Sequence, residues 1–154
     1  MSEIEGYGPL IADPKKIFDL PAAAPLADHV RVMITALIDE KKRRPRLNAE
    51  LARQVPRLEQ QRLIARTLDR AQGMVRALLD AHDDETSVTD TDLAAWLTVH
   101  AVNGLVDGAL LGNPERLEDP RLSEAIVAHV LGAVGAKEAR SDLPLRKKRS
   151  LVPR

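Results

Sequence analysis

The chain has 154 residues, 23 basic and 23 acidic side chains, and an aromatic content of 2%. This length suits one domain with a workable hydrophobic core, and the lack of cysteine excludes disulfides and thiolate metal sites. No basic start followed by an apolar run opens the chain, so we expect no signal peptide and a cytoplasmic location. The basic excess lies from Arg140 onward, and the acidic remainder is unlike a nucleic-acid-binding face.

The first half of the chain predicts an extended leader and two helices. Residues 1–25 contain glycine and proline without a helical period. The first helix is predicted from Leu26 to Arg43, where apolar residues recur every three or four positions and cations fill the last turn. The basic run Lys41–Arg46 is expected to be a solvated corner. A short second helix, from Leu47 to Gln54, stops before Pro56.

Three further helices are predicted in the second half. The third is long, from Leu58 to His82, and a polar turn follows it. The fourth covers residues 92–111, with Asp90 as its N-cap. The fifth begins at Pro120, after Asp119 as cap, and runs to about Ala136. The pattern therefore predicts an all-α, five-helix domain over residues 26–136, followed by a mobile basic tail over residues 137–154.

The last two predicted helices carry apolar residues on more than one face. A surface helix needs only one apolar stripe, so we expect residues 92–111 to pack on the chain's own core and also on a second protein. Asp107 falls inside this stretch and speaks against a membrane span. The two helices predict a homodimer joined by a four-helix bundle. The residues predicted at this seam are Leu97, Ala101, Gly104, Leu105, Gly108, Ile126, Val127, Val130, Leu131 and Val134.

The order of elements from Leu26 to about Gly135 resembles the C-terminal regulatory domain of TetR-family transcriptional repressors. The matching pieces are the basic-Pro-Arg-Leu break after the first helix, then LARQVPRLEQ, VRALLDAHDDE and DLAAWLTVHAVNGLVDGALLGNPERLEDPRLSEAIVAHVLGAV. The resemblance covers about 110 of the 154 residues. It implies an all-α fold, a homodimer formed by the last two helices, and a small-molecule cavity enclosed by the earlier ones.

Both ends of the chain are expected to be foreign to this domain. The helix-turn-helix of the TetR family lies N-terminal to the regulatory domain, and no stretch here reads as one. We therefore expect DNA contact only through a domain absent from this chain. Residues 6–21 resemble the start of mature PhoX-type secreted phosphatases, and Leu151–Arg154 is what thrombin cleavage leaves of its site. An ordinary leader and a natural basic tail are the alternatives.

A small-molecule pocket is predicted between the first, third and fourth helices, closed by the second. Trp96, His100 and Asn103 lie at successive turns of the fourth helix and would give an aromatic wall with two polar groups. The rest of the predicted lining is apolar, which favours a small lipophilic effector. Ordinary core packing is the alternative for these residues. The remaining lining residues are Met33, Leu37, Leu51, Val55, Leu68 and Met74.

The polar residues do not predict catalysis. The four histidines lack the i, i+4 spacing of a helical metal site, and His29 and His82 are expected to be exposed. Paired carboxylates lie in a polar loop without an apolar setting to raise their pKa, so no catalytic residue, metal or cofactor is predicted. Two functions stay open: an effector-sensing and dimerisation domain, and a ligand-free helical interaction module. Asp107 is expected at the surface or paired with one of His100, Arg62 and Arg66.

Overall fold

The computed structural model describes residues 19–53 and 58–137, and within these ranges the chain is all helical, as predicted. Two short 3-10 helices, Asp83–Glu85 and Pro114–Glu118, connect longer elements. The predicted bounds of the first helix are confirmed, whereas the last helix ends three residues earlier than predicted. The five α-helices are α1 (Leu26–Arg43), α2 (Pro45–Arg53), α3 (Leu58–Ala81), α4 (Thr91–Gly112) and α5 (Pro120–Ala133).

Helices α1 and α5 pack side by side in opposite directions. At the end of α1, Lys42 forms an ion pair with Glu118, just before α5 begins. Nearer its start, Arg31 reaches Glu124 with an N–O distance of 3.1 Å. One stripe of each helix is buried between them and forms much of the core. These stripes are Leu26, Val30, Ile34 and Ile38 of α1, and Ile126, Val127, Val130 and Leu131 of α5.

Helices α3 and α4 form the second antiparallel pair. Near the end of α3, Gln72 and Arg76 both reach Asp92 in the first turn of α4, at 3.3 and 3.5 Å. Val75 and Leu79 of α3 are buried. The buried stripe of α4 faces the common core and consists of Ala95, Val99, Val102, Val106, Ala109 and Leu110.

Local capping sets where α4 and α5 begin and end. Asp90 accepts a hydrogen bond from the backbone N–H of Leu93 at 3.0 Å, which confirms it as the N-cap of α4. Asp119 accepts from the N–H of Arg121 at 2.9 Å. Bonds from the Arg121 guanidinium, and then from its backbone, hold the pKa of Asp119 below its usual value. After α5, Gly135 takes a positive φ of 64°, the left-handed geometry that terminates many helices.

Candidate functional site

The most unusual surface is a broad apolar side of α4 that lies opposite its buried stripe. Leu93 and Leu97 are each 52% exposed, and Trp96 and Leu105 are each 46% exposed. Trp96 and Leu97 follow Leu93 by three and four residues, and Leu105 follows Leu97 by eight, so their side chains project from one side of the helix. We call this surface the open face of α4. It consists of Leu93, Trp96, Leu97, His100, Ala101, Gly104, Leu105, Gly108 and Leu111, all exposed.

Small residues make the centre of the open face flat. A methyl group added to Gly104 or Gly108 would meet no atom within 4 Å outside the local helix. A second backbone can therefore approach closely here, between the larger side chains that flank the glycines. At one end of the face, the rings of Trp96 and His100 lie 4.5 Å apart between centroids and are tilted by 48°. The indole thus projects from the surface, supported by a neighbouring ring.

A partly buried ion pair borders the open face where α1 meets α4. The Lys41 ammonium lies 2.8 Å from Asp107 Oδ1, and the lysine side chain is only 8% exposed. Asn103 donates from Nδ2 to the other oxygen of Asp107 at 3.1 Å. On the α1 side, the Asn48 amide donates to the carbonyls of Glu40 and Lys41, so α2 closes the end of α1. These ion-pair and hydrogen-bond contacts hold α1, α2 and α4 together.

The partner of Asp107 and the burial of Lys41 both differ from the predictions made from the sequence. Asp107 pairs with Lys41 of α1, and not with His100 or an arginine of α3 as predicted. Lys41 was expected in a solvated corner, and it is instead buried. The nearby Arg43 and Arg44 are exposed. Lys41 differs from them because of its position against α4, and no local sequence signal predicts that position.

Comparison with known families identifies the domain. The family model described as "Tetracyclin repressor-like, C-terminal domain" matches residues 25–132. The chain belongs to this family. Domains of this family are parts of regulatory proteins. No curated protein and no solved structure matches the chain.

The residues predicted for the dimer seam of this TetR-like domain separate into two groups. Those on α4 are exposed on the open face: Leu97, Ala101, Gly104, Leu105 and Gly108. Those on α5 and just after it are between 2% and 8% exposed, inside the subunit's own core. A side chain covered on all sides by its own subunit is not free to meet a partner. The buried group is Ile126, Val127, Val130, Leu131 and Val134.

The residues predicted for the pocket also separate. Trp96 and His100 lie on the open face rather than inside the subunit, so they do not form an aromatic wall of an internal pocket. Asn103 is half-buried and bound to Asp107. Four apolar members are half-buried: Met33, Leu37, Leu68 and Met74. Val55 and the side chain of Leu51 lie outside the described residues.

The exposed positions predicted for His29 and His82 are wrong. The two residues are 9% and 5% exposed, where the start of α1 meets the end of α3. Within residues 19–53 and 58–137, no group of three or more His, Cys, Asp or Glu side chains is placed to hold a metal ion. The sequence placed His82 at the end of the third helix, next to a polar turn, and contact with Ala24, 58 positions earlier in the chain, helps to bury it.

Proposed function

We propose that this chain is the effector-sensing and dimerisation domain of a cytoplasmic TetR-like transcriptional repressor. The observation that carries the proposal is the open face of α4 in a domain of this family. A contiguous exposed apolar surface on a small domain marks an interaction site. The proposal assigns DNA contact to a helix-turn-helix domain that is not among residues 19–53 and 58–137.

The partner proposed for the open face is a second copy of the chain. TetR-like domains typically dimerise. The face contains no Asp, Glu, Lys or Arg, and its glycines suit close contact between two copies of one helix related by a twofold axis. In this arrangement α4 forms the centre of a four-helix bundle. The outer side of α5 completes it with the small exposed residues Ala125, Ala128 and Gly132.

One helix, α4, is also long and apolar enough by composition to cross a membrane, the only such helix in the described part of the chain. Two features favour a protein partner over lipid. The helix carries Asp92, which contacts Gln72 of α3, and Asp107, which contacts Lys41 of α1. Its buried stripe packs into the core of a helical domain. One open face is what a dimer seam requires, whereas a lipid-embedded helix is apolar all round.

The proposed effector site lies between α1, α3 and α4. Its support is a set of half-buried apolar side chains, of which Met33, Leu37 and Leu68 pack against the edge of the core. The proposal adds the half-buried amide of Asn103, on α4, as a polar group. Flexible methionines adapt to ligands of different shape, and a mostly apolar lining with few polar groups suits a small lipophilic molecule.

The dimer is tested by light scattering on the full chain and two matched variants. The wild type should show twice the monomer mass of 16.9 kDa at micromolar concentration. Leu97→Glu places a carboxylate in the seam and should give the monomer mass. Leu47→Glu changes another exposed leucine, 41% exposed on α2, and should remain a dimer. A monomeric wild type, or equal effects of the two variants, would contradict the proposed seam.

The effector site is tested separately by thermal shift with decanol and with naphthol as lipophilic probes. A ligand at 100 times its Kd stabilises the folded state by about 2.7 kcal/mol, which raises Tm measurably. Leu68→Trp should fill the site and remove this rise without changing the dimer mass, and Leu47→Trp should keep it. If neither probe raises the Tm of the wild type while the dimer persists, the ligand-free interaction module is the correct function.

A further inference from the structure

Three segments meet at the end of the molecule where α1 starts. The first is the turn before α1, in which the N–H of Ala24 donates to the carbonyl of Pro21 at 2.9 Å. The second is the end of α3 with its 3-10 turn, and the third is the segment after α5. The N–H of Lys137 in this last segment donates to the carbonyl of Glu85 at 3.0 Å. His82, which is 5% exposed, lies where these segments meet.

Both ring nitrogens of His82 face backbone carbonyl oxygens. Nδ1 lies 3.0 Å from the carbonyl oxygen of Leu78, one turn back in α3. Nε2 lies 2.9 Å from the carbonyl oxygen of Ala24, before α1. A carbonyl oxygen only accepts hydrogen bonds, and a neutral imidazole has one N–H. Two such bonds therefore require the doubly protonated, positively charged ring.

Glu85 connects this charge to the first turn of α1. Its Oε2 lies 3.6 Å from His82 Nε2, and its Oε1 accepts from the backbone N–H of Leu26 at 3.2 Å. Helix α1 has no side-chain cap of its own, because Pro25 holds the N-cap position. The carboxylate of Glu85 thus supplies the missing acceptor and a favourable negative charge at the helix N-terminus.

The ionisable groups that face His82 come from each neighbouring segment. From α1 comes His29, whose ring lies 5.2 Å away at 65° and whose Nε2 is buried without a hydrogen-bond partner. Asp84 and Glu85 come from the 3-10 turn, and Lys137 donates to the carbonyl of Asp84. Burial, the largest single effect, lowers the pKa of His82. The two carbonyl bonds and the two carboxylates together outweigh burial and raise this pKa above 6.5.

We propose that protonated His82 is a pH-sensitive clamp that holds the start of α1 against the end of α3. Loss of the proton removes either the bond to Ala24 or the bond to Leu78 that orients the ring toward Ala24. In both cases the attraction to Glu85, the cap of α1, disappears. The inference is independent of the proposed dimer and effector site.

The direction of the pH dependence follows from the raised pKa. A group that binds its proton more tightly in the folded state stabilises that state while protonated. The contribution of His82 is therefore complete below its unfolded-state pKa of about 6.5. It disappears as the pH rises through the raised folded-state pKa. The clamp is closed in mildly acidic solution and loosens in alkaline solution.

The test combines NMR and hydrogen exchange on the full chain. Imidazole nitrogen shifts of His82 should show two protonated nitrogens at pH 6 and a titration midpoint above 6.5. Amide protection in the first turn of α1 should fall between pH 6 and 9, after correction for intrinsic exchange. The expected fall is up to about tenfold for each unit by which the pKa is raised. A neutral His82 at pH 6 would overturn the proposal.

Two glutamine variants make the test specific. His82→Gln should abolish the pH dependence of protection in α1, because an amide has no titrating proton. His100→Gln removes an exposed histidine on the open face of α4 and should leave this dependence intact. If His82→Gln keeps the wild-type dependence, the proposal fails. If His82→Gln does not fold, the nitrogen shifts of the wild type decide alone.

Discussion

Helices α4 and α5 have a similar excess of apolar residues in sequence, yet they occupy different environments. In α5 the large apolar side chains Ile126, Val127, Val130 and Leu131 are buried, and the apolar residues on the other side are small, such as Ala125 and Ala128. In α4 large side chains lie on both sides, so one set is buried and another, including Trp96 and Leu97, is exposed. One subunit therefore buries the large apolar side chains of α5, whereas it leaves one set of those of α4 exposed.

This difference shows that the size of the residues on the second face, and not the number of apolar residues, sets how much apolar area one subunit leaves exposed. Alanine and glycine on an exposed side leave little apolar area in water. A leucine that is half exposed leaves far more, and the hydrophobic effect scales with that area. The sequence-based prediction weighted the two helices equally, and for that reason it assigned buried residues of α5, such as Ile126, to the seam.

The largest expected effect distinguishes the buried side of α5 from the open face of α4. Ile126→Ala removes a side chain that is 2% exposed and should lower the free energy of unfolding by about 2–5 kcal/mol. Leu97→Ala should instead leave the unfolding of the dissociated monomer almost unchanged and weaken the dimer. Urea unfolding at several protein concentrations separates the two effects. Equal losses of monomer stability would remove the distinction between the two helices.

A smaller effect is expected at the polar border of α4. Lys41→Met leaves the partly buried Asp107 without its cation and should cost about 1–3 kcal/mol of stability. The double variant Lys41→Met, Asp107→Leu removes both charges and should regain most of this loss. Thermal or urea unfolding of the single and double variants measures the coupling. Additive losses would show that the ion pair does not join α1 to α4.

The smallest effect concerns two glycines with the same local freedom. A methyl group at Gly73 of α3 or Gly108 of α4 meets no atom within 4 Å. Alanine favours a helix over glycine by about 1 kcal/mol, so each substitution should stabilise the monomer slightly. Only Gly108→Ala should raise the Kd of the dimer, because Gly108 lies on the open face. The monomer–dimer equilibrium of each variant can be measured by sedimentation equilibrium. Equal dimer Kd values for the two variants would exclude Gly108 from the seam.

The helices were predictable from the sequence because their signals are local. Asp90, Asp119 and Pro120 mark helix starts through their own backbone, and the apolar stripe of α1 follows the helical period. The environments of Lys41 and His82 were not predictable, because distant segments bury them. The side of α4 that faces the core was also ambiguous, since both sides carry large apolar residues.

The absence of cysteine makes the central claim directly measurable. Single cysteines at positions 97, 101, 104 and 108 of the open face can be oxidised without background from other thiols. A disulfide needs Cα atoms about 4.4–6.8 Å apart, a distance that two copies reach only near a twofold axis. We predict rapid covalent dimers at one or more of these positions, and none for Ala77→Cys on the exposed side of α3. If none of the four positions cross-links faster than Ala77→Cys, the assignment of α4 as the seam is contradicted.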